Sequence, residues 1–338
     1  MKDNSTLTIA DIAKLANFSK ATVSRALRDS PLINEKTRQK IQLIAKENNF
    51  KINASARSLR LQKTNTVAVI IMFDPQSDQA ISDPFMLEML GTIADQLDSH
   101  GYDMLLTTTK HSATNWGGYY VESQRADGLI VIGQGDHDQR VESLVSDNLP
   151  VVVWGAEKTN TEHCVIGSNN QRGGYLAVNH LIKQGCKKIA FFGDVEYPEV
   201  AIRWQGYVQA FQQAGLEVVE GLQIKTDFTA ADAQLKLQQL LDRQPDLDGI
   251  FAVSDVIALG ALKYLNQQSI KVPQQISVVG FDNIAMAELC TPSLSTISQS
   301  TTAGGKLLVK NLMAQINKQA ATSQVLDVEL VVRDSSQR

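Results

Sequence analysis

The sequence predicts two unlike folds in one chain: a small all-α unit first, then a larger α/β core of doubly wound parallel sheets. Three observations carry that division. The first fifty residues show apolar positions only at helical spacing, in three short stretches. From Thr66 onward, brief β-branched apolar runs alternate with stretches of helical spacing, the pattern of parallel strands covered on both faces. Charge divides at the same place: residues 1–63 carry 13 Lys/Arg and 5 Asp/Glu, the other 275 carry 19 and 31. A basic segment on an acidic body predicts that the segment meets a polyanion, the alternative being a basic face that is merely solvated.

Composition excludes several classes. No apolar run reaches the roughly 18 to 20 residues that a membrane span needs. The start, Met1 to Phe18, lacks the apolar stretch and small-residue site of a signal peptide, so a cytoplasmic location is expected. Cys164, Cys186 and Cys290 are isolated and odd in number, which suits a reducing compartment and builds neither a disulfide framework nor a zinc site.

The elements follow in order. Thr8-Ile9-Ala10-Asp11 fits the Ser/Thr-x-x-Asp/Glu box that starts a helix, here over Ile9 to Ala16 with Ile9, Ile12, Ala13 and Ala16 inward. Asn17-Phe18-Ser19 breaks the run, and Ser19 caps a second helix, Lys20 to Arg28. That helix buries Val23, Ala26 and Leu27 and exposes Lys20, Ala21, Ser24, Arg25 and Arg28. Asn34 caps a third, to about Asn48, with Ile41, Ile44 and Ala45 inward. Two short helices joined by a three-residue turn and braced by a third make a helix-turn-helix unit, whose second helix enters the DNA major groove N-terminus first. The leading residues are Ser19, Lys20 and Ala21, then Thr22, Ser24 and Arg25. Thr22 and Ser24 hydroxyls suit phosphate oxygens, Lys20 or Arg25 can donate to guanine O6/N7, and Ala21 offers only a methyl contact. A three-helix module for protein contact is the alternative.

In the core, Val67–Met72, Met104–Leu106, Leu129–Ile132, Val151–Trp154, Ile189–Phe192, Gly249–Val253 and Ile276–Val279 read as strands. Phe85–Ser99, Gln171–Gln184, Arg203–Ala214, Ala230–Leu241 and Ile257–Asn266 read as helices. A core of roughly 270 residues suits two sheets better than one. Several strands run into polar residues: Phe73-Asp74, Gly133-Gln134, Ser254-Asp255 and Gly280 to Asn283. Doubly wound folds bind ligands there, beyond the carboxyl ends of strands or between two domains.

Ile9 to Lys14, Ser19 to Leu27, and Thr37-Arg38 with Ile41 closely resemble the lac-repressor (LacI/GalR) family of bacterial transcription regulators. Asn53-Ala54-Ser55-Ala56-Arg57-Ser58-Leu59-Arg60 is similar to that family's hinge helix. By this resemblance Leu59 is a wedge into the minor groove at the operator centre, and Ala56 is the small residue that lets paired hinge helices approach. A leucine wedge unstacks a base step and kinks the duplex, at a cost of a few kcal/mol offset by added contacts. An ordinary linker leucine is the alternative. The core landmarks also resemble the family, in order: Gly167 to Asn170, His180-Leu181, Arg203 to Tyr207, Ser254-Asp255, Ile276 to Asn283 and Pro292 to Gln299.

The resemblance implies a core like a periplasmic sugar-binding protein. It implies a DNA-binding domain over 1–51, a hinge and linker over 52–64, and a core over 65–338. Within the core, the expected N-subdomain covers about 65–164 and 293–327, and the C-subdomain about 165–292 and 328–338. Thr8 and Asn53 join the implied DNA contacts. In the implied effector cleft Arg203 binds ligand oxygens, Asp282 accepts hydroxyl hydrogen bonds, Phe228 stacks on the ligand and Gln299 touches ligand or cleft. Asp74 and Gln134 face the same cleft from strand ends. A carboxylate, an arginine fork and an aromatic face together suit a sugar. Other roles stay open: Asp282 as a helix cap, Arg203 as an ion-pair partner, Phe228 as core. Asp255 reads as the N-cap of the helix at Ile257. Other members of the family carry an aspartate where Trp154-Gly155 stands and an asparagine where Ser254 stands. Trp154 and Trp204 instead suit a larger or more apolar ligand, such as a glucoside or oligosaccharide.

Catalytic readings find no support. The five histidines form neither HExxH nor a metal-binding spacing, Gly133-Gln134-Gly135 lacks the third glycine of a dinucleotide fingerprint, and no Gly-x-Ser-x-Gly elbow occurs. No cofactor and no metal are expected. The expectation is a DNA-binding repressor of carbohydrate-utilisation genes, working as a homodimer on a near-palindromic operator and tuned by a small sugar. The alternatives are a purine or phosphoprotein co-repressor, or a soluble carbohydrate receptor without DNA function. The tail after Leu330 shows no heptad for a tetramer coiled coil, which favours a dimer.

Overall fold

The structure, a computed structural model, describes residues 7–50, 63–73, 77–109, 115–133, 139–156 and 163–338. Asn53, Ala56, Leu59, Asp74 and Gln134 lie outside the described residues. The chain divides after Thr64 into two compact units.

The first unit is a three-helix cluster: α1 (Ile9–Ala16), α2 (Lys20–Ala26) and α3 (Glu35–Glu47). Its core is the expected set, Ile12, Ala13, Ala16, Val23, Ala26, Ile41 and Ala45, with Ile9, Leu27 and Ile44 packed at its edge. Asn17 turns the chain between α1 and α2 in the left-handed region (φ 57°), where asparagine is tolerated better than most residues. The second helix ends two residues earlier than expected. Arg28 and Asp29 donate to the carbonyls of Arg25 and Ala26, which tightens the last turn, and Asp29 enters the left-handed region (φ 53°).

The second unit holds two sheets of six described strands. The first orders as β11-β5-β4-β3-β1-β2 and is wholly parallel, with β1 Thr66–Ile71, β2 Asp103–Thr108, β3 Gly128–Ile132, β4 Val151–Trp154, β5 Cys164–Ser168 and β11 Gln324–Leu326. The second orders as β12-β10-β9-β8-β6-β7, with β6 Ile189–Phe192, β7 Gln223–Ile224, β8 Gly249–Ala252, β9 Ser277–Asp282, β10 Ser295–Gln299 and β12 Val328–Val331. Its strands are parallel except β12, which runs antiparallel to β10. Helices α4 (Pro84–Ser99), α5 (Gln139–Ser146) and α11 (Thr301–Ile316) pack in the first lobe. The second lobe takes α6 (Asn170–Lys183), α7 (Pro198–Gln213), α8 (Ala230–Arg243), α9 (Asp255–Gln267) and the short α10 (Ala285–Leu289).

The expected subdomain limits need correction at two crossings. Cys164–Ser168 pairs with β4 and belongs to the first sheet, and Ser295–Gln299 pairs with β9 and belongs to the second. Each crossing therefore follows a strand that pairs with its preceding neighbour in the lobe the chain is about to leave. The third crossing lies at Asp327, between Gln324–Leu326 of the first sheet and Val328–Val331 of the second.

Backbone contact between α6 and α7 places the side chain that matters most below. A Cβ built on Gly174 would lie 2.1 Å from the Arg203 carbonyl oxygen, and one on Gly206 would lie 2.1 Å from the Gln171 carbonyl oxygen. Neither neighbour is a flexible side chain, so only glycine permits this approach. Gly206→Ala is expected to force the helices apart and cost about 1–3 kcal/mol of core stability. Urea unfolding of the variant checks this, and an unchanged midpoint would refute it.

Candidate nucleic-acid interface and effector cleft

In the first unit, Ser19 caps α2 with its side chain on the Thr22 N–H at 3.1 Å, and the two hydroxyls lie 2.9 Å apart. The Asp11 carboxylate accepts both the Thr8 N–H (2.9 Å) and the Thr8 hydroxyl (2.6 Å), which holds its acid below the ordinary carboxylate range and fixes the start of α1. Lys20, Ala21 and Arg25 are exposed on one face of α2, with Thr22 and Ser24 half-buried. With Ile9 and Arg28, residues Lys20, Ala21, Ser24 and Arg25 line one recess of about 330 Å³. Arg28 donates to the Ser24 carbonyl at 2.7 Å and to its hydroxyl at 2.9 Å. The Ser24 oxygen thus acts as an acceptor, which leaves its proton to donate to a phosphate. Three cations, Lys20, Arg25 and Arg28, along one side of α2 make this an anion-facing surface.

In the second unit, Arg203 on α7 is buried. Its Nε donates to the Asn170 side-chain oxygen at 2.8 Å, its Nη1 to the Val253 carbonyl, and its guanidinium lies 3.6 Å from the centre of the Phe281 ring. Asn170, the first residue of α6, is itself fixed by donating to the Ser168 carbonyl at 3.0 Å. Burial pulls the Arg203 pKa down while the nearby Asp282 charge opposes that shift. Asp282 ends β9 with φ 117°, a region non-glycine residues rarely occupy, and Gln299 at the end of β10 donates to its Oδ1 at 2.6 Å. Burial raises the Asp282 pKa well above the usual carboxylate range, against the pull of Arg203. Arg203, Asp282 and Gln299 are thus brought together, and Ile284, not Asp282, occupies the N-cap of α10.

Phe228 lies half-buried between β7 and α8, edge-on to Tyr197 with ring centres 5.6 Å apart. Asp255 does not act as the expected cap: Ser254 caps α9 by accepting the Ile257 N–H at 3.3 Å. The Asp255 carboxyl instead accepts the Thr296 hydroxyl (2.6 Å) and the Ile284 N–H (2.9 Å), and burial raises its pKa to about 7. It braces the turn that carries Asp282. Trp154, buried at the end of β4, lies 6.3 Å from the Phe85 ring. Trp204 does not fit the ligand-facing role expected of it, because its ring stacks on Tyr207 at 4.6 Å and meets Phe191 edge-on at 5.0 Å. The sequence reading missed Asp83 and Asn170. Asp83 caps α4 through the Phe85 N–H at 2.9 Å, and burial raises its pKa. Its charge also reaches Asp282.

Comparison with known proteins agrees with both halves. The profile described as "Bacterial regulatory proteins, lacI family" matches residues 8–53, and "Periplasmic binding protein-like domain" matches 178–336. The transcriptional regulator DegA of Bacillus subtilis (strain 168) is 31% identical, with 97% of this chain and 98% of that one covered. The transcriptional repressor CytR of Escherichia coli (strain K12) is also 31% identical, over 99% and 98%. Among solved structures, a transcriptional regulator CelR–cellobiose complex shares 28% identity at TM-score 0.73, covering 97% of this chain and 99% of that one. A lac repressor dimer bound to operator and the anti-inducer ONPF superposes at TM-score 0.87, with 99% and 100% covered; at 22% identity it speaks for the fold. The chain belongs to the lacI family of bacterial regulatory proteins: it is a helix-turn-helix transcriptional regulator with a periplasmic-binding-protein-like core, and not an enzyme.

Proposed function

We propose that the protein is a cytoplasmic, homodimeric repressor of carbohydrate-utilisation genes, tuned on a near-palindromic operator by a small sugar. The observation that carries the effector half is the cluster of Arg203, Asp282 and Gln299 at the strand ends, with Phe228 on a loop of the same lobe. A buried fork, a carboxylate and an aromatic edge match the hydroxyl rim and apolar face of a sugar ring. The 28%-identical neighbour crystallised with cellobiose supports that ligand class. Asp74 and Gln134 complete the cleft from the first lobe.

On DNA, Lys20, Ala21 and Arg25 read bases, while Thr8, Ser19, Thr22 and Ser24 hold phosphates. Asn53, Ala56 and Leu59 form the hinge that wedges the operator centre. Two copies pair through the core, and exposed Met286 and Leu289 on α10 offer apolar surface for such a contact. Effector binding and operator binding are then reciprocally coupled, and a coupling of about 1–3 kcal/mol shifts affinity about 5- to 150-fold.

The test is fluorescence anisotropy of the full-length protein on DNA from upstream of its own gene, before and after a panel of sugars that includes cellobiose. Tight, salt-sensitive binding that one sugar releases is the expected result. Hypoxanthine tightening the complex, with every sugar inert, would replace the sugar reading with a purine co-repressor. Removal of residues 1–63 should abolish DNA binding and spare sugar binding. In the same assay with a randomised operator, Lys20→Tyr is expected to change the preferred base at one position per half-site, by about 1–3 kcal/mol. Unaltered preference would remove Lys20 from base reading.

A further inference from the structure

The two lobes of the core are joined by side-chain hydrogen bonds as well as by the crossing segments. Asp227, which follows β7 in the second lobe, accepts the Ser77 hydroxyl at 2.6 Å on Oδ1 and the Asp78 backbone N–H at 3.0 Å on Oδ2. Ser77 and Asp78 lie between β1 and α4 of the first lobe, and Ser77 is buried there. These bonds span about 150 positions in sequence, so local loop geometry does not create them.

Each side of the contact is fixed in its own lobe. The Asp227 N–H donates to the Asp232 carboxylate on α8 at 2.8 Å, and the Phe228 N–H donates back to Asp227 Oδ1 at 2.8 Å. Across the boundary, the Ser77 oxygen accepts the Gln79 N–H at 3.0 Å. One carboxylate thus sets the backbone that carries Phe228 and grips the first lobe at the same time.

We infer that Asp227 is a positioning residue that fastens the Phe228 loop to Ser77 and Asp78, so that joining of the lobes and presentation of Phe228 to the effector are one event. The part played by Phe228 rests on the effector reading above; the fastening does not. A hydroxyl donating to a carboxylate is a charge-assisted bond, about twice as strong as a neutral one. If the lobes part, both groups must be rehydrated together, so the contact favours two discrete arrangements over a continuum.

Hydrogen–deuterium exchange of the full-length protein, with no effector added, tests this. Ser77→Ala is expected to speed exchange of the 77–81 segment about tenfold or more, from loss of one bond to a charged group. Ser77→Thr, which keeps the hydroxyl, should exchange like the wild type. Asp227→Ala should speed the same first-lobe segment while leaving the β6 and β8 amides as slow as before, a remote effect that a purely local role for Asp227 does not give. Wild-type exchange of residues 77–81 in Asp227→Ala would overturn the inference, and so would failure of Ser77→Thr to restore protection lost in Ser77→Ala. Because no sugar is present, these outcomes are independent of which ligand the cleft takes.

Discussion

Asp282→Asn is expected to weaken effector binding about ten- to a hundredfold and to leave operator binding without effector near wild type. The carboxyl is buried, and one of its oxygens already accepts the Gln299 amide. A ligand hydroxyl therefore depends on the remaining acceptor capacity, and each hydrogen bond to a charged group contributes about 1.5–3 kcal/mol. Asparagine keeps the shape but turns one acceptor into a donor.

The same residue predicts a pH dependence. In the free protein burial raises the Asp282 pKa, with Asp255 and Asp83 pushing the same way against Arg203. Ligand hydroxyls donate to the carboxylate and so favour its charged form, which lowers the pKa in the complex. Effector affinity should therefore climb as pH rises through the pKa of the free protein and fall below it. Calorimetric titration from the ordinary carboxylate range upward reads this slope. Asp255, whose pKa is raised to about 7, and Asp282 feel one another's charge, so the difference between the wild-type and Asp282→Asn profiles belongs to the pair, with Asp282 as the member that the variant removes. Identical profiles would remove Asp282 from the ligand.

Arg203→Ala is expected to be the more damaging change, at about 3–5 kcal/mol of core stability. It removes a buried cation beside Asp282 and strips the Asn170 oxygen and the Val253 carbonyl of a donor. It also empties the space against the Phe281 ring. Arg203→Lys should recover only part of the loss, because a point charge cannot reach Asn170 and Val253 as a planar fork does. Urea unfolding reports the order: wild type, then Lys, then Ala. A variant Arg203→Ala within about 0.5 kcal/mol of wild type would mean that the guanidinium carries no structural charge balance.

The strands legible in the sequence were those whose apolar side chains face both layers of helices, such as Thr66–Ile71 and Ile189–Phe192. Ser295–Gln299 gave no such signal. Its Ser295 and Thr296 are as buried as any leucine, but their hydroxyls are satisfied by the Arg333 carbonyl and the Asp255 carboxyl. A strand whose polarity is cancelled by distant partners cannot be distinguished from a loop by pattern alone. Asp83 and Asn170 were missed for the opposite reason. Each looks like an ordinary residue at a helix start, and only the fold brings them to Asp282 and Arg203. Trp204 was misassigned because an aromatic beside a functional arginine reads equally as ligand face or core, and here Tyr207 takes its face.

The order in which the sheets are completed bears on how the protein is made. The strands that finish them, Gln324–Leu326 and Val328–Val331, follow every other strand of either sheet in the chain. The first lobe cannot close its hydrogen-bond ladder until residue 326 has been made, nor the second until residue 331, whereas the helix-turn-helix cluster is whole after the first fifty residues. A message that stops early therefore yields a folded DNA-binding unit attached to two open sheets with exposed edges, which is prey for proteases. Nonsense mutations upstream of residue 300 should appear in the cell as missing protein and derepressed targets, not as a regulator locked on its operator.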